Sequence, residues 1–311
     1  MRKLDEREAS SATPPLAAAP SIAVQFFLIP LAVVGVIVLV YGGFRMLVSN
    51  ERTPEEFLHD VRVGGRDRRW PAAYELSRLL ADPKVQTEHP GLGPAIVQAF
   101  TDSVGDDPRV RRYLALAIGR LESLPPGAVD ALLVALDDPD SETCISVIWA
   151  LAAIGDPTVV DDVEGMYLSD DAGIRKMAVY ALGVLPPDDR AATLRNALDD
   201  NAPDVRWNAA VALARHGRDE GVTVIGRMLD REYVERNVRR SQTTDSIVDP
   251  IASVMISGLQ AVGSLRASVL RSEVEELSRT DASLRVREVA LRTVELLGSS
   301  RAELRGAQRR N

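Results

Sequence analysis

DPRVRRYLALAIGRL, at residues 107–121, is the stretch whose pattern decides the fold of this chain. An aspartate and a proline precede a valine–arginine pair, and small or branched apolar residues follow at helical spacing up to a glycine. The pattern recurs as DAGIRKMAVYALGVL at 171–185, PDVRWNAAVALARHG at 203–217 and SLRVREVALRTVELLG at 283–298. Weaker copies lie at 140–155, 249–265 and 68–80.

The copies follow one another at a regular distance. Steps of 33, 31, 31, 49 and 32 residues separate the equivalent positions Ala117, Ala150, Ala181, Ala212, Ala261 and Thr293. A step of 31–33 residues is typical of one helical hairpin in a solenoid, and the longer step places an insertion at 231–249. A second helix follows in each copy, as at 128–137 and 191–200. We therefore predict an all-α solenoid of about six to seven helical hairpins at 49–298, because a single hairpin cannot bury its apolar face alone.

The aspartate lead-in and the Val-Arg pair resemble HEAT repeats, and specifically the short variety known from phycobilisome lyases. The resemblance covers roughly residues 54–298. Cys144 and Met255 replace the arginine in the two degenerate copies. The remaining copies keep it as Arg111, Arg175, Arg206 and Arg287. The resemblance implies a HEAT-like fold and, more weakly, a protein that binds other macromolecules.

Residues Ile22 to Phe44 form an uncharged run of 23 residues. A helix of that length spans about 35 Å, enough to cross a bilayer core of about 30 Å. A cleaved signal peptide is the alternative, but acidic residues precede the run and no small-residue cleavage site follows it. We expect a flexible tail at 1–20 and one transmembrane helix at 21–48. The arginines that follow the run favour a cytoplasmic repeat domain over a periplasmic one.

The chain has a net charge of −8, which argues against nucleic-acid binding. Its aromatic content is 5%, which suits helices packed through small residues better than a sheet. One cysteine, Cys144, excludes an internal disulfide. No phosphate loop, HExxH or GxSxG motif is present. We therefore expect no enzyme activity, no cofactor, no metal and no small-molecule substrate.

Two sets of residues are candidates for partner binding. The repeated arginines Arg111, Arg175, Arg206 and Arg287 form either a basic stripe for an acidic partner or ion pairs with lead-in aspartates of neighbouring repeats; those aspartates are Asp107, Asp140, Asp171 and Asp204. Insertions in solenoids often lie on the binding face. This one carries Arg231, Tyr233, Arg236, Arg239 and Arg240. The basic tail at 299–311 is expected to fray.

The sequence thus predicts a single-pass cell-membrane protein whose repeats act as a scaffold or adaptor for a protein partner, such as a subunit of a membrane transporter. If residues 232–248 form a loop that contacts the partner, their deletion leaves the fold intact. The alternative is a lyase-like, tetrapyrrole-handling enzyme, which the resemblance alone supports. That alternative predicts a pocket lined by Trp149, Tyr180, Trp207 and Cys144.

Overall fold

The computed structural model describes the chain at residues 29–48, 52–186, 190–238 and 249–308. Within those ranges, side chains are not described at 29, 44–48 and 299–308. The described residues form seventeen α-helices, short 3-10 turns and no strand. They divide into two units, Met1–Thr53 and Pro54–Asn311. The all-α prediction is therefore confirmed for the part of the chain that is described.

The first unit contains one described helix, α1, at Ile29–Val48. Every side chain described in it, from Pro30 to Gly43, is exposed. The exposed fraction is 68% for Leu31 and 76% for Leu39. Residues 21–28 of the expected span lie outside the described residues. Among the residues that are described, no helix combines the length and the apolar character needed to cross a membrane.

The second unit contains the other sixteen helices. In chain order they are α2 Pro54–Val63, α3 Arg66–Leu79, α4 Pro83–Glu88, α5 Leu92–Asp102, α6 Pro108–Ile118, α7 Ala128–Val134, α8 Ser141–Ile154, α9 Val160–Gly165, α10 Ala172–Leu182, α11 Ala191–Ala197, α12 Pro203–Arg215, α13 Val222–Leu229, α14 Arg231–Asn237, α15 Pro250–Leu265, α16 Arg271–Thr280 and α17 Leu284–Gln308.

Each repeat pairs a first helix with a shorter second helix, and four of the first helices begin at an aspartate cap. The first helices are α3, α6, α8, α10, α12 and α15, and α17 follows them. Asp107, Asp140, Asp171 and Asp249 accept hydrogen bonds from backbone N–H groups at the starts of α6, α8, α10 and α15. These side chains satisfy helix N–H groups that have no partner within the helix. The lead-in therefore fixes where these four first helices begin, whereas α3 and α12 begin without a side-chain cap.

Small residues let successive first helices approach each other closely. A Cβ added to Gly119, in the turn after α6, would lie 2.7 Å from the Cα of Ala150 in α8. A Cβ added to Gly183, after α10, would lie 2.9 Å from the Cα of Ala212 in α12. Ala150 and Ala212 are two of the positions whose regular spacing defined the repeat. The period in the sequence thus corresponds to the contact between neighbouring repeats.

The core of the second unit is continuous through α12. One group of buried apolar residues extends from Leu58 to Leu213, and a second extends from Ala210 to Leu297. Both groups include alanines of α12, whose two sides face different neighbours. Each repeat therefore completes the core of the next, as expected for a solenoid.

The end of the chain differs from the expected frayed tail. Helix α17 continues to Gln308, so most of the segment 299–311 is helical.

Candidate functional site

Arg111 and Arg175 lie inside the stack of repeats. Arg111 is 7% exposed, and its Nε donates a hydrogen bond of 2.7 Å to Asp138. Its Nη1 donates to the carbonyl oxygen of Phe100 at 3.2 Å. Arg175 donates to both carboxylate oxygens of Asp200, at 2.9 and 3.0 Å. Each guanidinium links a carbonyl group that precedes its own helix to a carboxylate in the turn before the next first helix, so neither contributes to an exposed basic stripe.

The other copies keep part of this arrangement. Nη1 of Arg206 donates to the carbonyl oxygens of Asp200 and Asn201, at 2.6 and 3.1 Å. Sγ of Cys144 donates to the carbonyl oxygens of Leu136 and Asp138, at 3.4 and 3.0 Å. The equivalent position thus provides a donor for carbonyl groups at the end of the preceding second helix. Arg287 is half-buried, and it forms no ion pair with the residues whose side chains are described.

The lead-in aspartates are not the partners of the repeated arginines. Three of them face their own helices as caps, and Asp204 lies 3.7 Å from Nζ of Lys176. The actual partners, Asp138 and Asp200, lie in the turns between helices, two and four residues before the lead-in aspartates Asp140 and Asp204. Burial acts to raise the pKa of Asp200, but hydrogen bonds from Arg175 and the Ala202 N–H outweigh it and lower that pKa. These ion pairs hold the repeats together.

Arg231 belongs to the same system, although it lies in the insertion. Its Nε and Nη2 donate to both carboxylate oxygens of Asp281, at 3.0 and 2.6 Å. Only 1% of the Asp281 side chain is exposed. Asp281 follows Met255 by 26 residues, close to the spacing between Arg175 and Asp200. Arg231 therefore supplies the guanidinium that this degenerate repeat lacks at Met255.

The rest of α14 also packs against the repeats. The Tyr233 hydroxyl accepts a hydrogen bond from Arg206 at 3.3 Å, and Val234 is fully buried. Arg236 is exposed and donates only to a carbonyl of its own helix. Arg239 and Arg240 lie outside the described residues, so the candidate set is not seen as one site. The first part of the insertion is a structural helix, which differs from the expectation of a dispensable loop.

A groove of about 600 Å³ crosses one side of the stack at α10, α12 and α15. Its lining also includes residues of α13 and the end of α14. Helix α12 contributes Asp204, Asn208, Val211 and Arg215, which recur at helical spacing along one face. This volume lies in the range of typical ligand sites, and its lining combines apolar and polar groups. The groove is the strongest candidate for a functional site among the described residues.

Trp207 is an almost fully buried residue of the groove lining. It lines the groove while being only 5% exposed. Its Nε1 is buried and has no hydrogen-bond partner among the described residues. A buried donor without an acceptor costs about 1–3 kcal/mol. Because that nitrogen has almost no exposed surface, a ligand in the groove does not reach it.

The two basic residues of the groove differ in whether a carboxylate lies near them. Lys176 is near Asp204, but the guanidinium of Arg215 lies 5.6 Å from the centre of the Tyr180 ring. That distance suits a cation–π contact. Arg215 has no carboxylate partner among the described residues. The groove therefore presents one cation that remains available for an anion.

The residues predicted for a lyase-like pocket are only partly brought together. Tyr180 and Trp207 line the groove, whereas Cys144 and Trp149 do not. Trp149 packs under Arg120, 5.6 Å from its ring centre. Burial, followed by the charge of Asp138, raises the pKa of the Cys144 thiol to about 11. That thiol is therefore protonated at neutral pH and suits packing better than nucleophilic attack.

Sequence reasoning missed Lys176, Asn208 and Arg215 as groove residues. Their signal was present in the polar residues that recur every three to four positions within otherwise apolar first helices. The described residues contain no group of three or more His, Cys, Asp or Glu side chains placed to hold a metal ion.

The comparisons with known proteins agree with the helical pairs described above. A family model described as HEAT repeats matches residues 94–183 and 168–247. No curated protein sequence matches the chain significantly.

Several solved structures are similar to this chain. A designed armadillo repeat protein in complex with the peptide (KR)4 is 15% identical, with a TM-score of 0.40, and the match covers 79% of this chain and 100% of that one. A Kap121p mutant is 11% identical, with a TM-score of 0.45, and the match covers 91% of this chain and 31% of that one. Human deoxyhypusine hydroxylase is 15% identical, with a TM-score of 0.34, and the match covers 87% of this chain and 99% of that one.

At sequence identities this low, similarity to a solved structure concerns the fold alone. The TM-scores carry no information about function. The family match does not single out the phycobilisome-lyase variety of repeat. It does cover four consecutive helical pairs, and it extends from near the start of α5 to α14. The chain therefore contains HEAT repeats, stacked in an all-helical solenoid.

Proposed function

We propose that this chain is a membrane-tethered scaffold whose HEAT repeats bind a protein partner in the groove across α10, α12 and α15. The observation that carries the proposal is the groove itself, in which Arg215 is exposed and has no carboxylate partner among the described residues. Arginine is among the residues enriched at the hot spots of protein interfaces. HEAT solenoids are often used as protein-binding scaffolds.

The tether is the uncharged run at 22–44, and what supports it is the composition of that run. The apolar side chains of α1, such as Leu31 and Leu39, are exposed, which is unfavourable in water. A lipid environment or a partner helix would remove them from water. A tether also raises the effective concentration of a partner in the same membrane. Such a partner is a subunit of a membrane complex, for example a transporter.

The proposal holds further that the repeats lie in the cytoplasm and that the chain acts by binding and is not an enzyme. The support for the cytoplasmic side is the set of arginines that follows the run; these are Arg45, Arg52, Arg62, Arg66, Arg68 and Arg69. Support for a binding role is the absence of catalytic motifs from the sequence and the protonated, buried thiol of Cys144.

Site-specific photo-crosslinking of the full-length chain in native membranes tests the groove. A photoreactive residue replaces Val211, which lines the groove, or Val134, which is 79% exposed on α7. We expect one defined adduct from position 211 and none from position 134. The captured protein is then purified, and its affinity is measured for the wild-type chain and for Val211→Arg. Equal affinities for the two chains would show that the groove is not the binding site.

Carbonate extraction of membranes tests the tether separately. The full-length chain should stay in the membrane pellet, and a chain that lacks residues 22–44 should be released. Recovery of the full-length chain in the supernatant would disprove the tether without affecting the groove. Protease treatment of intact spheroplasts should leave the repeat domain uncut, since a cytoplasmic domain is protected. Digestion under those conditions would place it on the other side.

A further inference from the structure

We propose that the occupant of the groove is an extended peptide segment with an acidic residue beside an apolar one. The acidic side chain would bind Arg215, and the apolar side chain would pack on Val211 and Val254. This inference rests on the proposed function and adds the chemistry of the partner.

The dimensions of the groove suit a short extended peptide. It crosses three successive first helices, α10, α12 and α15. Packed helices lie about 8–10 Å apart, so the groove spans about 16–20 Å. An extended chain covers about 3.3 Å per residue, so about six residues fill that length. A segment of this kind crosses all three repeats, whereas a compact ligand would contact fewer of them.

The charge of the groove selects an acidic segment. Lys176, Asp204 and Arg215 are the charged residues that line it, and the first two lie near each other. Arg215 is exposed and faces the Tyr180 ring instead of a carboxylate. A planar guanidinium binds a carboxylate through two parallel hydrogen bonds. The groove thus carries a local excess of one positive charge on a chain whose net charge is −8.

The neutral lining explains the need for an apolar neighbour and for backbone contacts. Val211 and Val254 are half-buried in the free chain and can lose further exposure under a ligand. Trp207 lines the groove with the small part of its side chain that stays exposed, and its buried Nε1–H is not open to a ligand. Asn208 uses its amide nitrogen on the carbonyl of Asp204, so its side-chain oxygen remains able to accept a peptide N–H.

Three pools of dye-labelled hexapeptides test the proposal by fluorescence anisotropy, with the full-length chain in detergent. Each pool carries random apolar residues around one fixed central residue, which is Asp, Asn or Lys. We expect the Asp pool to bind about five-fold more tightly than the Asn pool, and the Lys pool to bind most weakly. Arg215→Gln should reduce the Asp-to-Asn affinity ratio to about one. Val254→Ser should weaken both of those pools by similar factors, because it removes apolar surface that both pools cover.

Arg78→Gln is the matched control, because Arg78 is an exposed arginine of α3 that pairs only with Glu75 of its own helix. It should keep the wild-type preference for Asp. Equal binding of the Asp and Asn pools, an Asp preference that survives Arg215→Gln, or the absence of binding by any pool would overturn the inference. If no pool binds but the crosslinked partner still requires Val211, the scaffold proposal stands and only the acidic-peptide inference fails. If no pool binds and the captured partner binds the wild-type and Val211→Arg chains equally, both the scaffold proposal and the acidic-peptide inference fail.

Discussion

Replacing Arg231 by glutamine removes the guanidinium that links the insertion to the last repeat. In the wild-type chain that group donates to both carboxylate oxygens of Asp281, whose side chain is 1% exposed. Glutamine is shorter and neutral, so the variant leaves a buried carboxylate with no counterion. Removing one partner of a buried ion pair typically costs about 3–5 kcal/mol.

The expected loss is smaller here because Arg231 itself is partly solvated. Its side chain is 22% exposed, so water can partly replace the guanidinium. We therefore expect a loss of about 2–3 kcal/mol in the free energy of unfolding. For a domain of this size, 1 kcal/mol shifts the melting temperature by about 2–4 °C. The variant should melt about 5–10 °C below the wild type, as measured by circular dichroism of the full-length chain in detergent.

A double-mutant cycle isolates the pair. Asp281→Asn should also destabilise the chain, and adding it to Arg231→Gln should cost less than the sum of the two single changes by at least about 1 kcal/mol. Arg236→Gln is the control in the same helix, since Arg236 is exposed and donates only to the Glu232 carbonyl. It should stay within about 0.5 kcal/mol of the wild type. A wild-type melting temperature for Arg231→Gln, or strictly additive effects, would refute the structural role given to the insertion.

Three further predictions concern the repeats themselves. Gly183→Ala should lower the free energy of unfolding by about 1–3 kcal/mol in thermal melts, since the new methyl group would press on Ala212, whereas Gly165→Ala, which meets nothing within 4 Å, should not. Asp200→Asn should lower the free energy of unfolding at neutral pH. Because the folded-state pKa of Asp200 lies below the ordinary value of 3.8, the stability that this carboxylate contributes is complete above that value and is lost as the pH falls through the folded-state pKa. The melting curves of variant and wild type should therefore converge in acid. Cys144 should resist thiol reagents at pH 8 until the chain is unfolded, because burial raises its pKa to about 11; rapid labelling of the folded chain would contradict that assignment.

The candidate site was only partly readable from the sequence. The repeated arginines stand out because they recur, but recurrence reflected the contacts that make the repeat, as Arg111 and Arg175 show. Arg231 looked like part of a binding loop because no sequence pattern links it to a residue 50 positions away. Trp207 was noticed only as a member of a different pocket. Arg215 was missed because the groove that it lines forms only when three helices pack side by side.

The sequence by itself determined the helices, the repeat and its insertion. These features are the helical periodicity, the aspartate caps and the small residues at regular steps. They reflect contacts between residues within about 35 positions of each other, and such contacts produce a periodic pattern in the sequence. The tertiary structure alone decided which side chains are buried in ion pairs and which remain in the groove. Arg175 and Arg215 are the same kind of residue on successive first helices, yet one holds a buried carboxylate and the other faces a ring. That difference arises from what the neighbouring repeats place opposite each arginine, and no local pattern records it.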